Sequence, residues 1–176
     1  LMFRPQIQKT RTLFLIACIS MLSVYIVSKS ESSIAKDGLK DKKEATRIMQ
    51  KYIKSLENID GNIINDKDIY NTGLIGVESS SITTIFNESN KNFLDSKLAC
   101  THPNFSALMV HLFKEAELNS GDTVAVSMTG SLPGANLALL AACEALKIHP
   151  IILSSVGSSS WGANREDMTW LDIETN

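Results

Sequence analysis

Two stretches rich in glycine and hydroxyl side chains have the residue types to bind or react with a ligand. The first is Thr129-Gly130-Ser131-Leu132-Pro133-Gly134, which follows an apolar run and precedes a nearly all-apolar helical pattern. Glycine lets a ligand approach the backbone, hydroxyls donate hydrogen bonds, and the unpaired N–H groups of a helix's first turn favour anions. This stretch therefore either binds a carboxylate or a phosphate or is a plain tight turn between strand and helix.

The second stretch runs from Ser154 to Gly162, after the next apolar run, and adds Trp161 as a surface on which a ligand could stack. If both stretches follow parallel strands, they lie at one edge of a sheet and face each other across a crevice. The predicted ligand-binding residues are Thr129, Gly130, Ser131, Gly134, Gly157, Ser158, Ser159, Ser160 and Trp161.

A serine in these stretches could also be a nucleophile. The candidate catalytic residues are Ser131 and Ser160 as nucleophiles, with Glu78 or Asp172 as the acid–base partner. A conventional triad is disfavoured, because no GxSxG elbow is present and no histidine follows His149. No histidine or cysteine pair has metal spacing, so neither a metal nor another cofactor is predicted.

The elements that position these stretches follow from hydrophobic periodicity. A β-branched run over Thr123–Ser127 predicts a strand, residues 134–146 predict a helix with Glu144 as its only charge, and a second strand starts at Ile151. Strand, helix and strand at this spacing indicate a βαβ unit in a Rossmann-like parallel sheet, with the helix buried on most sides. The fold class is therefore α/β.

Further elements are predicted on the amino-terminal side of this unit. An apolar stripe from Ala45 to Leu56 and another from Phe105 to Ala116 each predict an amphipathic helix, and the first is typical of core packing. Short apolar pieces at Leu74–Val77 and Ile82–Phe86 predict strands. We place the α/β domain at residues 44–176.

The first thirty residues indicate contact with a membrane. Arg4, Lys9 and Arg11 precede an uncharged apolar run from Leu13 to Val27. Its 15 residues fit the core of a signal peptide, yet flanking residues extend it, so we favour an uncleaved single-pass anchor over residues 1–30. Basic residues before the span place the amino end inside and the domain outside the cytoplasm. Residues 31–43 are polar and predict a tether.

Charge and cysteine content limit the function classes. Without the three basic residues before the span, 14 basic residues remain against 19 acidic ones, a net charge near −5. This balance excludes a typical nucleic-acid binder. Cys100 and Cys143 either pair in an oxidising compartment or lie buried as thiols.

Three groups of residues together resemble the poly-γ-glutamate system protein family. They are Thr72-Gly73-Leu74-Ile75-Gly76 with Glu78 and Ile82-Thr83-Thr84, then Asn104-Phe105 with Ala107-Leu108-Met109-Val110, then Ser154-Ser155-Val156-Gly157 through Ser159-Ser160-Trp161-Gly162-Ala163-Asn164 to Thr169-Trp170-Leu171-Asp172. The resemblance covers most of the chain after about residue 45, and Ser-Ser-Trp-Gly-Ala-Asn is its most specific part.

The resemblance implies a cellular context and assigns no catalytic residue. Members of the family carry an amino-terminal membrane segment and are encoded beside the ligase and membrane subunits that make and export poly-γ-glutamate, which are the implied partners. Members are also longer, and this chain stops without a terminating signal, so we expect an incomplete domain.

Three functions remain open at this point. The chain is an anchored accessory protein that binds a γ-glutamyl chain end or small anionic ligand, a γ-glutamyl amide hydrolase or transferase with a serine nucleophile, or a generic anchored solute-binding domain.

Overall fold

The computed structural model describes residues 10–30, 37–57, 64–85 and 92–175. The chain divides into two compact units, Leu1–Lys36 and Asp37–Asn176. Arg4, Lys9 and positions 31–36 of the predicted tether lie outside the described residues.

The first unit contains helix α1, Thr10–Ser30, of 21 residues. Its most apolar window has a mean hydropathy of 1.9, and none of its residues is buried. At about 1.5 Å per residue such a helix is about as long as the hydrocarbon layer of a bilayer is thick, roughly 30 Å. The prediction of an amino-terminal helix able to cross a membrane is thus confirmed, although a signal sequence has the same length and composition.

The second unit mixes helices with short sheets. Its elements are α2 (Leu39–Leu56), β1 (Thr83–Ile85), α3 (Asn92–Thr101), α4 (Phe105–Glu115), β2 (Thr123–Thr129), α5 (Pro133–Leu146), β3 (His149–Ser155), β4 (Ser158–Ser159), β5 (Asn164–Arg165), β6 (Met168–Thr169) and α6 (Trp170–Thr175). Strands β2 and β3 are parallel, β1 and β4 are parallel, and β5 and β6 are antiparallel. The predicted α/β class is confirmed, with the described strands arranged in pairs.

The predicted βαβ unit is β2, α5 and β3. The two strands pair in register from Thr123 opposite His149 to Thr129 opposite Ser155. Pro133 begins α5, where its missing N–H costs no helical hydrogen bond. The helix contacts both strands as well as α2, α3 and α4, which accounts for its apolar sequence and confirms its predicted burial.

Helix α2 supports α5 from within the core. Its apolar stripe is buried at Ala45, Ile48, Met49, Ile53 and Leu56, so the core-packing interpretation is confirmed. The helix begins at Leu39, inside the segment predicted as a tether, directly after Gly38 in a left-handed conformation. The same core contains Trp170 of α6, which is fully buried.

The strand predicted at Leu74–Val77 is wrong, because the structure has irregular backbone there. Gly73 and Gly76 adopt left-handed conformations with φ of 71° and 57°, which a strand does not tolerate. The segment is held by side chains instead: the buried Asp68 carboxylate accepts a hydrogen bond of 2.7 Å from the Gly73 N–H. The strand predicted at Ile82–Phe86 is confirmed as β1, and Phe86 lies outside the described residues.

Replacing Gly76 with alanine is expected to destabilise the second unit more than the same change at Gly121. Both glycines have positive φ, so each alanine costs about 1–2 kcal/mol of backbone strain. At Gly76 the new Cβ would also overlap the Gly162 carbonyl oxygen, whereas nothing lies within 4 Å at Gly121. We expect Gly76→Ala to lose about 1–3 kcal/mol more. Urea unfolding of both variants measures the difference, and equal losses would contradict the close approach.

Candidate functional site

The two glycine- and serine-rich stretches converge at one edge of the β2–β3 pair. We call residues 129–134 loop A and residues 154–162 loop B. Both follow strands that end side by side, as the parallel register requires. Three hydrogen bonds that involve a side chain join the loops: Thr129 Oγ1 donates to the Gly157 carbonyl (3.0 Å), Ser158 Oγ donates to the Gly130 carbonyl (3.0 Å), and the Ser159 N–H donates to Ser131 Oγ (3.0 Å).

These bonds close the loops upon each other instead of leaving an open crevice lined by free hydroxyls. Gly130 is buried, its N–H donates to the Ser155 carbonyl at 3.2 Å, and its own carbonyl accepts from the Ala163 N–H at 2.7 Å. Ser158 is fully buried. Gly130 and Ser158, both predicted to bind a ligand, therefore hold the loops together.

Gly134 of loop A packs against another helix. It lies in the first turn of α5 and is buried. A Cβ at this position would lie 2.8 Å from the Cys100 carbonyl oxygen and from the Thr101 nitrogen, at the carboxyl end of α3. Glycine is therefore required there for the contact between two helix ends, and that contact brings α3 to the loops.

Asn164, two residues after loop B, fixes this part of the chain to the irregular segment before β1, and we call its contacts the Asn164 clamp. Asn164 is fully buried; its Oδ1 accepts from the Val77 N–H at 3.0 Å, and its Nδ2 donates to the Val77 carbonyl at 2.7 Å. The same Nδ2 donates to Thr83 Oγ1 at 3.2 Å. Both polar ends of the amide are thus satisfied, as burial demands.

The charged group at the loops is Lys97, which the sequence analysis did not identify. Lys97 lies on α3, and only 6% of it is exposed. Its Nζ donates to Ser159 Oγ at 2.9 Å and to the Ser160 carbonyl at 2.6 Å. Among the described residues no carboxylate forms an ion pair with it.

Burial changes the acidity of this amine. Removing an ammonium group from water disfavours its charged form, and desolvation lowers the pKa of Lys97 to about 8 from an ordinary 10.5. A lysine without a carboxylate partner in a buried position is uncommon, and strongly perturbed groups of this kind concentrate at functional sites.

A sequence signal for Lys97 exists, although it is weak. Lys97 lies three residues after Leu94 and four before Thr101, so it occupies the same face of α3 as its neighbours at helical spacing. A single lysine in a ten-residue helix is ordinarily interpreted as a solvated residue. Only the packing of α3 against loop B distinguishes it.

Trp161 carries a cation on its ring. The Lys67 Nζ lies 4.5 Å from the ring centroid, within the range of a cation–π contact. Trp161 itself has a positive φ of 58° and donates its N–H to the Val77 carbonyl at 3.0 Å. The predicted stacking residue therefore follows the Lys97 contacts directly in the sequence, and its ring contacts a second lysine.

The two predicted acid–base residues belong to other segments than loops A and B: one precedes β1 and the other lies in α6. Glu78 is exposed beside the Asn164 clamp. Asp172 caps α6: its Oδ2 accepts from the Thr169 hydroxyl at 2.6 Å and from the Thr169 N–H at 2.7 Å. These bonds lower the pKa of the Asp172 carboxyl, which makes it a weaker base.

The cysteines in the described part of the chain do not form a disulfide bond. Cys100 and Cys143 are both free, so the interpretation as unpaired thiols is the one observed, with Cys143 buried. Burial raises the pKa of the Cys143 thiol to about 11. No group of three or more histidine, cysteine or acidic side chains forms a metal site there.

A cavity of about 500 Å³ lies away from the loops, between α2, α5 and α6. Its lining is mostly apolar and includes Leu137 and Ile173. Tyr52 and Glu144, which are hydrogen-bonded to each other, also line it.

Comparison of the chain with protein-family models, with curated proteins and with solved structures finds no match.

Proposed function

We propose that this chain is a membrane-anchored extracytoplasmic accessory protein of poly-γ-glutamate synthesis, export or attachment. It binds a glutamyl carboxylate, or another small anion, where loops A and B meet. Its partners are the membrane and the ligase and membrane subunits of the polymer system. The resemblance of three groups of residues to that protein family supports the assignment.

The topology belongs to the same proposal. Arg4, Lys9 and Arg11 precede the apolar core of α1, and basic residues remain preferentially on the cytoplasmic side of a span. The second unit then lies outside the cytoplasm. There we propose that β2, α5 and β3 belong to a Rossmann-like sheet, in which ligands bind beyond the carboxyl ends of parallel strands.

The observation that carries the binding site is the buried amine of Lys97. In its protonated form it places a positive charge beside two glycine-rich loops, and its hydrogen bonds are to neutral oxygens. An incoming carboxylate would supply the negative partner that the described residues lack. The excess of acidic residues in the chain opposes binding of a long polyanion along a broad surface, so the ligand is a chain end or a small precursor.

The test is the amount and location of poly-γ-glutamate in cells that lack the gene. We expect the polymer to be lost or misplaced, the intact protein to restore it, and Lys97→Met to fail because the buried charge is gone. Lys51→Met, at an exposed position of α2, is the matched control and should restore the polymer. Immunoblots of membrane fractions verify equal protein levels.

Unchanged polymer in the deletion strain would overturn the proposal and leave an anchored solute-binding domain outside polymer metabolism. Restoration by Lys97→Met at wild-type levels would overturn the binding site but not the cellular role.

A further inference from the structure

Ser159 and Lys97 form a pair with the geometry of a nucleophile and its base. The Lys97 Nζ lies 2.9 Å from Ser159 Oγ, within the range in which a proton can pass between them. Lysine replaces histidine as the base in known variants of the serine triad. We infer that Ser159 is an acyl-transfer nucleophile activated by Lys97, acting on an amide or ester carbonyl.

The surroundings fix both members of the pair. The second Lys97 bond, to the Ser160 carbonyl, orients the amine, and the bond from the Ser159 N–H to Ser131 Oγ orients the nucleophile's backbone. Ser159 remains partly exposed, so a substrate can reach it, whereas Ser158 is fully buried and its hydroxyl donates to the Gly130 carbonyl. The structure therefore favours Ser159 over the serines selected from the sequence, Ser131 and Ser160.

The amine is also available as a base near neutral pH. With a pKa of about 8, about one tenth of Lys97 is neutral at pH 7, against less than about one in a thousand for an ordinary lysine. Burial is the cause. No neighbouring titratable group contributes to the lowered pKa of Lys97. On α3 and on the helices packed against it, these groups are Asp95 and Cys100 on α3, His111, Lys114 and Glu115 on α4, and Cys143 and Glu144 on α5.

The reaction balances with water or an amine as the second substrate. Ser159 Oγ attacks the carbonyl carbon while its proton passes to the Lys97 Nζ. The carbon–nitrogen bond breaks, and the leaving amine takes that proton, which leaves an acyl ester on Ser159. Water then attacks the ester and gives a proton to the Lys97 Nζ, which returns it to Ser159 Oγ as the acid is released. An amine in place of water gives transfer instead of hydrolysis.

The substrate class follows from the proposed function, on which this step of the inference rests. A γ-glutamyl amide carries a carboxylate on the same glutamyl residue as the amide, and hydrolysis of the amide produces a second carboxylate. That product lies beside the Lys97 amine, whose protonated form pairs with a carboxylate, and this links the carboxylate binding proposed above to the chemistry.

The experiment uses the full chain in detergent and p-nitrophenyl acetate as the probe. Intact-mass spectrometry detects an acetyl adduct, peptide mapping locates it, and nitrophenolate release gives its rate. We expect an adduct on Ser159, its loss in Ser159→Ala, and its retention in the control Ser120→Ala, at an exposed position in the turn before β2. The rate should rise with pH to a plateau with a midpoint near 8, because the neutral amine is the base.

Lys97→Arg separates charge from base function, since arginine stays protonated. We expect it to slow acylation at least about 100-fold, the usual contribution of a general base. Circular dichroism confirms that the variant is folded, and Ser159→Ala, which keeps Lys97, supplies a second test. No adduct on the wild-type protein, equal labelling of Ser159→Ala, or an unchanged rate in Lys97→Arg would each overturn the inference.

Failure of this inference is distinguishable from failure of the proposed function. If the deletion strain loses its polymer but Ser159 of the intact protein is not acylated, the proposed function stands and the inference is overturned. If Ser159 is acylated but the deletion leaves the polymer unchanged, the nucleophile stands and the polymer assignment is overturned.

Discussion

Replacing Trp170 with alanine will lower the free energy of unfolding by about 3–5 kcal/mol, the usual cost of truncating a buried aromatic side chain. Trp170 begins α6, is fully buried, and packs in the main core with residues of α2 and α5. Its Nε1 donates to Ser154 Oγ at 3.3 Å, which ties α6 to the end of β3. The substitution therefore leaves a large cavity and also releases loop B.

Leu171→Ala is the matched control, since Leu171 is the next residue of the same helix and 42% exposed. We expect it to change stability by less than about 1 kcal/mol. Urea unfolding of the full chain in detergent, followed by far-ultraviolet circular dichroism, measures both variants. Similar losses for the two would show that α6 does not pack on the core as described.

Replacing Lys97 with methionine will remove a pH dependence of stability worth about 3 kcal/mol. The pKa of Lys97 is lowered to about 8 in the folded protein, while the unfolded chain keeps an ordinary value near 10.5. Below pH 8 the folded state must bury a charged amine or give up its proton. That cost is fully present below the folded pKa and disappears as pH rises through the unfolded pKa.

The sign follows from proton counting. Between pH 8 and 10.5 the unfolded chain binds more protons at this site than the folded protein, so stability rises with pH in this window. Methionine has nearly the same length as lysine but no charge. It therefore cannot contribute to this rise of stability with pH. Other groups titrate in the same range, so the quantity to compare is the difference between wild type and Lys97→Met at each pH.

Urea unfolding at intervals from pH 7 to 10.5 measures that difference. We expect the gain in the free energy of unfolding of Lys97→Met over the wild type to be largest at pH 7 and to disappear by pH 10.5. A difference that stays constant with pH would show that the amine is solvated in the folded protein. A variant that gains stability but fails to restore the polymer would indicate that the lysine is kept for function.

Local patterns in the sequence predicted the elements whose structure depends on local periodicity. The stripe of α2 has a helical period, whereas the nearly all-apolar α5 and the β-branched runs of β2 and β3 were distinguished by their length and composition. The same reasoning placed loops A and B at one edge, because parallel strands leave no other arrangement. Their convergence was therefore predictable.

The elements that were predicted wrongly or not at all depend on contacts between distant parts of the chain. The apolar run at Leu74–Val77 has the composition of a strand, yet Asn164 supplies the hydrogen bonds that a neighbouring strand would have provided. Helix α3 has no clear apolar stripe and was not predicted. Without α3 the site lacks Lys97, so the charge and the base at the loops could not be inferred from residues near Ser159.

The Asn164 clamp also affects the order in which contacts form during folding. Val77 and Asn164 are 87 residues apart in the chain, and Lys97 and Ser159 are 62 apart. Contacts of such separation form late in folding, because closing a long loop costs entropy before any contact rewards it. We therefore expect the amine and the serine hydroxyl to come together only late in folding, after the helices that depend on local contacts have formed.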